Sequence, residues 1–215
     1  AKKPKWAQVI LNFVERYCDK DKWILWFKIV VACIPTIVIA LPFNDFIEEK
    51  FNNYVVVAIA LIVYGVIFII VENYNKRRKP ICTSLEDLSF ATAFKIGIFQ
   101  VLSVIPGTSR SGSTIVGSLM LGISRTAAAE FTFFLAVPAM FGGSAIKILK
   151  YSGGFNSAEV ALLAIGMIVA FVLSIIAIKF LMSYIKKHDF KVFGWYRIVL
   201  GILVLGYFMG KNLIA

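Results

Sequence analysis

Histidine is nearly missing from this sequence and charge is scarce. There is one histidine, His188, and only 16% of the 215 residues are Asp, Glu, Lys or Arg, against about 25% in an ordinary soluble domain. With 60% of the chain hydrophobic, this scarcity excludes a soluble globular fold. Cys18, Cys33 and Cys82 share no metal-like spacing. With a lone histidine they exclude a zinc or iron site built from this chain alone. No signal peptide is visible, because the basic N-terminus does not lead directly into an apolar core of the right length. Acidic residues are few as well, 12 against 23 basic ones, which leaves a net charge of +11.

That positive excess does not point to nucleic acid. The basic runs have no aromatic interleaving and no groove-reading module. They sit in loops beside apolar runs: Lys2 to Lys22 before the first, Lys76-Arg77-Arg78-Lys79 after the second, and Lys186, Lys187 and Lys191 before the last. The positive-inside rule places these loops in the cytoplasm and the acidic loop at 43–53, with Asp45, Glu48 and Glu49, outside.

Long apolar runs are what the sequence has in abundance. Residues 23–41 and 54–71 each approach the roughly 20 residues that a helix needs to cross a bilayer. Further spans read at about 126–149, 158–182 and 194–209. Pro35 interrupts the first, which neighbouring helices can tolerate. Residues 1–22 read as a basic, partly amphipathic segment on the inner membrane face, and Ser84 and Ser124 as helix caps. The expected fold is an all-α polytopic membrane protein with about five transmembrane helices and one re-entrant helical hairpin.

The hairpin follows from an interruption. Pro106-Gly107-Thr108-Ser109-Arg110-Ser111-Gly112-Ser113-Thr114 is polar and cationic, yet it lies between two apolar half-spans, 90–105 and 115–121. An arginine near mid-membrane costs at least about 2.5–3.5 kcal/mol, so it is rarely there without a partner. Two half-length helices meeting at a polar loop describe a re-entrant hairpin surrounded by protein or a water-filled cavity. The composition is that of an oxyanion cradle. Arg110 can grip two phosphoryl oxygens in a fork, and Ser109, Ser111 and Thr114 can donate to the others. Glycines let backbone come close to the ligand. A half-helix starting near Ser111 would add its free amides and dipole.

This nine-residue stretch resembles the Pro-Gly-x-Ser-Arg-Ser-x-x-Thr signature of the bacterial undecaprenyl-diphosphate phosphatases. Gln100, Ser124-Arg125, Glu130-Phe131 and Ala136-Val137-Pro138 are similar to that family's flanks, and the resemblance runs from about Trp23 to the end. It implies hydrolysis of a polyprenyl diphosphate lipid to the monophosphate and phosphate in the bacterial plasma membrane, which recycles a cell-wall carrier lipid and raises tolerance to bacitracin. The implied catalytic set is Arg110, Ser109, Ser111 and Thr114. Gly107, Thr108, Gly112, Gln100 and Glu130 are the implied substrate-binding residues. Membrane lipids are the expected surroundings, and a homodimer is compatible with this reading.

One part of the family pattern has no match here. Two glutamates four apart, followed by a Pro-x-Ser-Ser stretch ending in histidine, are absent, so the family's metal-binding carboxylates, nucleophile and base cannot be placed on this chain. A divalent cation, Mg2+ or Ca2+, is an expected cofactor whose ligands lie outside these residues. The chain is accordingly expected to be N-terminally incomplete. Residues 1–89 would hold an amphipathic segment and the two helices of an incomplete first repeat. Residues 90–215 would hold a hairpin and three helices as the second unit of an inverted-topology repeat.

Other readings compete with these assignments. Ser113 and Gly117 read as helix packing rather than chemistry, Arg125 as an interfacial anchor, and Lys179 and His188 as interfacial. Arg197 reads as a side chain snorkelling to the cytoplasmic face. A transporter or flippase is the alternative function, since secondary transporters also bind anions at interrupted helices near mid-membrane. A phosphatidate-phosphatase type is disfavoured for want of its lysine-to-Arg-Pro motif and Ser-Gly-His triplet.

Overall fold

The computed structural model describes residues 20–151, 153 and 156–214, and these fold as helices. In chain order they are α1 (Lys20–Phe51), α2 (Tyr54–Asn75), α3 (Phe90–Val101), a single 3-10 turn (Leu102–Val104), α4 (Arg110–Met120), α5 (Arg125–Lys150), α6 (Ser157–Ile185) and α7 (Lys191–Ile214). Five are long and apolar enough to cross a membrane: α1, α2, α5, α6 and α7. Their side chains are exposed in the manner of lipid-facing helices; none of the most apolar stretch of α6 is buried. This is an all-α, multi-pass membrane protein. The expected amphipathic segment at 1–22 lies outside the described residues apart from Lys20, Asp21 and Lys22, which belong to α1.

The spans fall where the apolar runs place them, with one correction. The loop expected at 43–53 is helical as far as Phe51, and α1 runs through both Pro35 and Pro42. Glu48, Glu49 and Lys50 favour helix, and the chain turns only where Asn53 caps α2 by accepting from the Val56 amide at 3.0 Å. Ser124 caps α5 by accepting from the Ala127 amide. Ser84 accepts from the amides of Glu86 and Asp87, but no helix follows, so it makes a turn rather than a cap.

Close approach between helices relies on glycine. A Cβ on Gly65 would lie 2.7 Å from the Gly194 carbonyl, and one on Gly201 would lie 2.8 Å from the Ala58 carbonyl. α2 and α7 therefore pack backbone to backbone, as small residues allow in membranes. On the other side, α1 lies against α3 so closely that a Cβ on Gly97 would sit 2.2 Å from the Ala32 carbonyl. Between these pairs α3 and α4 form the hairpin, and α5 packs against α4 and α1. The buried core, including Ile29, Phe68, Ile96, Val116, Phe131 and Leu135, surrounds this hairpin.

The mouth of the hairpin is closed by backbone bonds at the basic end of the bundle. The amides of Ile81 and Cys82 donate to the Gly122 carbonyl, and the Ser124 amide donates to the Cys82 carbonyl at 2.8 Å. Lys28 holds the same region. It is buried in α1, and its ammonium donates to the carbonyls of Glu86 at 2.9 Å and Leu85 at 3.4 Å.

Candidate active site at the hairpin tip

The polar motif divides in two at the tip. Pro106 to Ser109 form the turn, and Arg110 to Thr114 the first turn of α4. Two backbone conformations make this possible. Gly107 has φ +93°, and a Cβ there would lie 2.6 Å from the Val57 carbonyl, so both torsion and space demand glycine. Ser109 has φ 69°, which a residue with a side chain rarely adopts. Strain of this kind concentrates at ligand sites. Ser109 recovers part of the cost as the N-cap of α4: its Oγ accepts from the Gly112 amide at 3.2 Å, and it lies 3.2 Å from the Ser111 hydroxyl.

The hydroxyls fall into two groups. Ser109 and Ser111 line a cavity of about 240 Å³ together with Gly112, Thr132 and Arg197. The others are turned into the protein. Thr108 donates to Ile105 or Leu102 carbonyls at 2.7 and 2.9 Å, tightening the turn. Thr114 is buried, with its hydroxyl 2.9 Å from that of Thr132 and 3.1 Å from the carbonyls of Arg110 and Ser111, and so joins α4 to α5. Ser113 donates to the Ser109 carbonyl, and Gly117 admits the Phe99 ring, which a Cβ would meet at 2.4 Å. Both therefore pack and bond within the protein, as read from the sequence.

Arg110 opens α4, is half-buried and, unlike Ser109, Ser111 and Arg197, does not line that cavity. Its guanidinium makes no ion pair or side-chain hydrogen bond with any described residue. It stands at the positive end of the helix, beside first-turn amides that have no intrahelical acceptor. Gln100 is buried on α3, and its Oε1 has no described partner. Glu130 is half-buried on α5 and does not line the cavity. Among the described residues no three His, Cys, Asp or Glu side chains come together to hold a metal ion.

Two arginines differ from their sequence reading. Arg197 does not snorkel. It is buried, and its Nη2 donates to the carbonyls of Gly107 at 2.6 Å and Thr108 at 2.8 Å. Its guanidinium also lies over the Tyr64 ring at 5.8 Å. Nor is Arg125 a simple interfacial anchor: its guanidinium pairs through Nε and Nη2 with Oε1 of Glu72, which is wholly buried on α2. A signal for Arg197 was present in the sequence. Gly194 and Gly201 lie three residues before it and four after it, on the same helix face, and small residues mark the face that meets another helix.

These features define a class: a multi-pass helical membrane protein that presents an arginine, two serine hydroxyls and a helix N-terminus at a strained re-entrant tip. The chain matches the family of the bacitracin resistance protein BacA over residues 3–203 and belongs to it. It is similar to an undecaprenyl-diphosphatase of Enterococcus faecalis, 61% identical over 194 residues that make up 90% of this chain and 70% of the relative. An undecaprenyl-diphosphatase of Desulfitobacterium hafniense is 57% identical over 192 residues, 89% of this chain and 69% of the relative. Undecaprenyl-diphosphatase 1 of Clostridium acetobutylicum is 54% identical over 194 residues, 90% and 71%.

Proposed function

We propose that this protein hydrolyses undecaprenyl diphosphate to undecaprenyl phosphate and inorganic phosphate in the bacterial plasma membrane, returning a carrier lipid to cell-wall synthesis. The observation that carries the reading is Arg110, a guanidinium without a described protein partner at the positive end of α4, in a chain whose relatives are named undecaprenyl-diphosphatases. A diphosphate supplies the missing counter-charge. Arg110 grips its oxygens as a fork, while the amides of Arg110 and Ser111, which the Ser109 cap leaves open, and the hydroxyls of Ser109 and Ser111 donate to the rest. Charge that develops on the phosphoryl oxygens is met by donors already in place, the chief means by which proteins speed phosphoryl transfer. The apolar wall of the cavity, with Phe68, Ile115, Phe133 and Leu181, receives the first isoprene units. Thr108 and Thr114 brace this tip through their hydrogen bonds.

The test is phosphate release from undecaprenyl diphosphate by the full-length natural protein in detergent. Arg110→Ala should lower kcat by about 10²–10³-fold, the scale for removing one oxyanion donor. The same assay with and without chelator reads the divalent-cation requirement. Transport of the lipid without phosphate release would replace the phosphatase reading with a flippase.

A further inference from the structure

A second cavity, about 520 Å³, opens at the basic end of the bundle, away from the hairpin tip. Lys76, Arg78, Lys79, Arg125 and Lys186 line it, and no described Asp or Glu does. Two of these five cations have carboxylate partners, Lys76 with Asp189 at 3.1 Å and Arg125 with Glu72. Arg78 lies over the Tyr74 ring at 4.2 Å. Arg78, Lys79 and Lys186 thus line the cavity without a described carboxylate partner. Ser124, Arg125 and Thr126 also face the cavity, so the positive end of the long helix α5 adds to the field. The rim is apolar: Ile81 is 88% exposed and Met120 51% exposed, and both line the opening.

We propose that this cavity holds the phosphate of an anionic phospholipid, with the acyl chains lying along Ile81 and Met120. A phosphodiester suits a pocket of lysines and arginines between transmembrane helices at the positively charged membrane face. The apolar rim favours a lipid over a free ion, because a free phosphate has nothing to place against it. The cavity takes in both sides of the hairpin mouth, the 76–81 loop and the 119–126 turn. A headgroup there ties the mouth together and holds the depth of the hairpin, without contacting the tip.

The test is native mass spectrometry and thermal unfolding of the full-length natural protein in detergent, with phosphatidylglycerol and phosphatidylcholine of matched acyl chains. Phosphatidylglycerol should be retained about tenfold over phosphatidylcholine and should raise the unfolding midpoint. The double variant Lys79→Gln/Lys186→Gln, and separately Arg78→Gln, should lose most of that preference, since each cation near the surface contributes on the order of a severalfold change in binding. None of the three makes an ion pair with a described residue. Equal retention of the two lipids, or a preference that both variants keep, overturns the proposal. If inorganic phosphate at millimolar concentration displaces phosphatidylglycerol and gives the same variant-sensitive stabilisation, the site belongs to a free anion and the lipid assignment is lost.

Discussion

Arg197 reaches across 89 positions of sequence to donate to the carbonyl oxygen of Thr108 at 2.8 Å. The same nitrogen donates to Gly107, so one guanidinium on α7 holds the two peptide groups that lead into Ser109 and Arg110. Its role is positioning. Arg197→Lys places a single flexible ammonium where a planar fork stood, and Arg197→Met keeps the stem without any donor. Both should lower kcat by about 10²-fold, the scale of a misplacement near 1 Å, with a smaller change in KM. Full activity in Arg197→Met would show that the residue only fills space.

The Glu72–Arg125 pair couples α2 to the start of α5. Removing one partner of a buried pair leaves a charge without compensation and costs about 3–5 kcal/mol. Arg125 is itself partly exposed, so Arg125→Met should fall at or below the lower end of that range. The double variant Glu72→Gln/Arg125→Met should recover much of the loss, read as the unfolding midpoint in detergent. Additive losses in the double variant would mean that the two side chains do not depend on each other.

The glycines differ sharply in what they tolerate. Gly97→Ala forces a methyl against the Ala32 carbonyl, and backbone cannot yield as a flexible side chain can. A loss of about 3 kcal/mol, the upper end for overpacking, is expected. Gly142 has no described atom within 4 Å of its would-be Cβ, so Gly142→Ala should be neutral or stabilise by about 0.5–1 kcal/mol. Thermal midpoints of the two variants side by side check the contrast.

The Lys76–Asp189 contact predicts a pH window. Burial pushes the Asp189 carboxyl up, but the Lys76 hydrogen bond, the Lys191 amide and both lysine charges outweigh it, and the net shift is downward. The hydrogen bond and charge of Asp189 raise Lys76 in turn. The pair therefore stabilises the fold above the ordinary aspartate value of about 3.9 and below the ordinary lysine value of about 10.4. The contribution fades as pH falls through the lowered aspartate value or rises through the raised lysine value. Asp189→Asn should lower the unfolding midpoint at pH 7 and converge with the native protein as pH falls through the lowered aspartate value. A difference that stays undiminished in acid would show that charge is not its source.

Much of this arrangement was legible in the sequence, and most of the gaps share one cause. The five spans follow from apolar length, and the tip from a polar run too charged for lipid and flanked by half-spans. The start of α4 at Arg110 was visible to within a residue, because the polar run and its glycines placed the half-helix start near Ser111. What was missed depends on partners far away in sequence. Glu72 and Arg125 stand 53 positions apart, Lys28 and Glu86 stand 58, and Arg197 and Thr108 stand 89. In a helix apolar on every side, periodicity cannot say which face meets a neighbour, so a lone arginine near a helix end reads as reaching for water. The continuation of α1 to Phe51 was missed for another reason, since the acidic cluster at 43–53 was read as a loop, and the helix formers at 48–50 override that reading.

The glycine contacts between α2 and α7 fix a height. Gly65 against Gly194, and Gly201 against the Ala58 carbonyl, interlock the two helices at levels more than a turn apart, so neither can slide along the other without steric collision. Arg197 is carried between those levels, and the tip hangs from Arg197. The reactive plane is therefore referenced to protein rather than to lipid. A thicker or thinner bilayer would move the water boundary past the tip, while the distance from the tip to the basic end of the bundle stays constant.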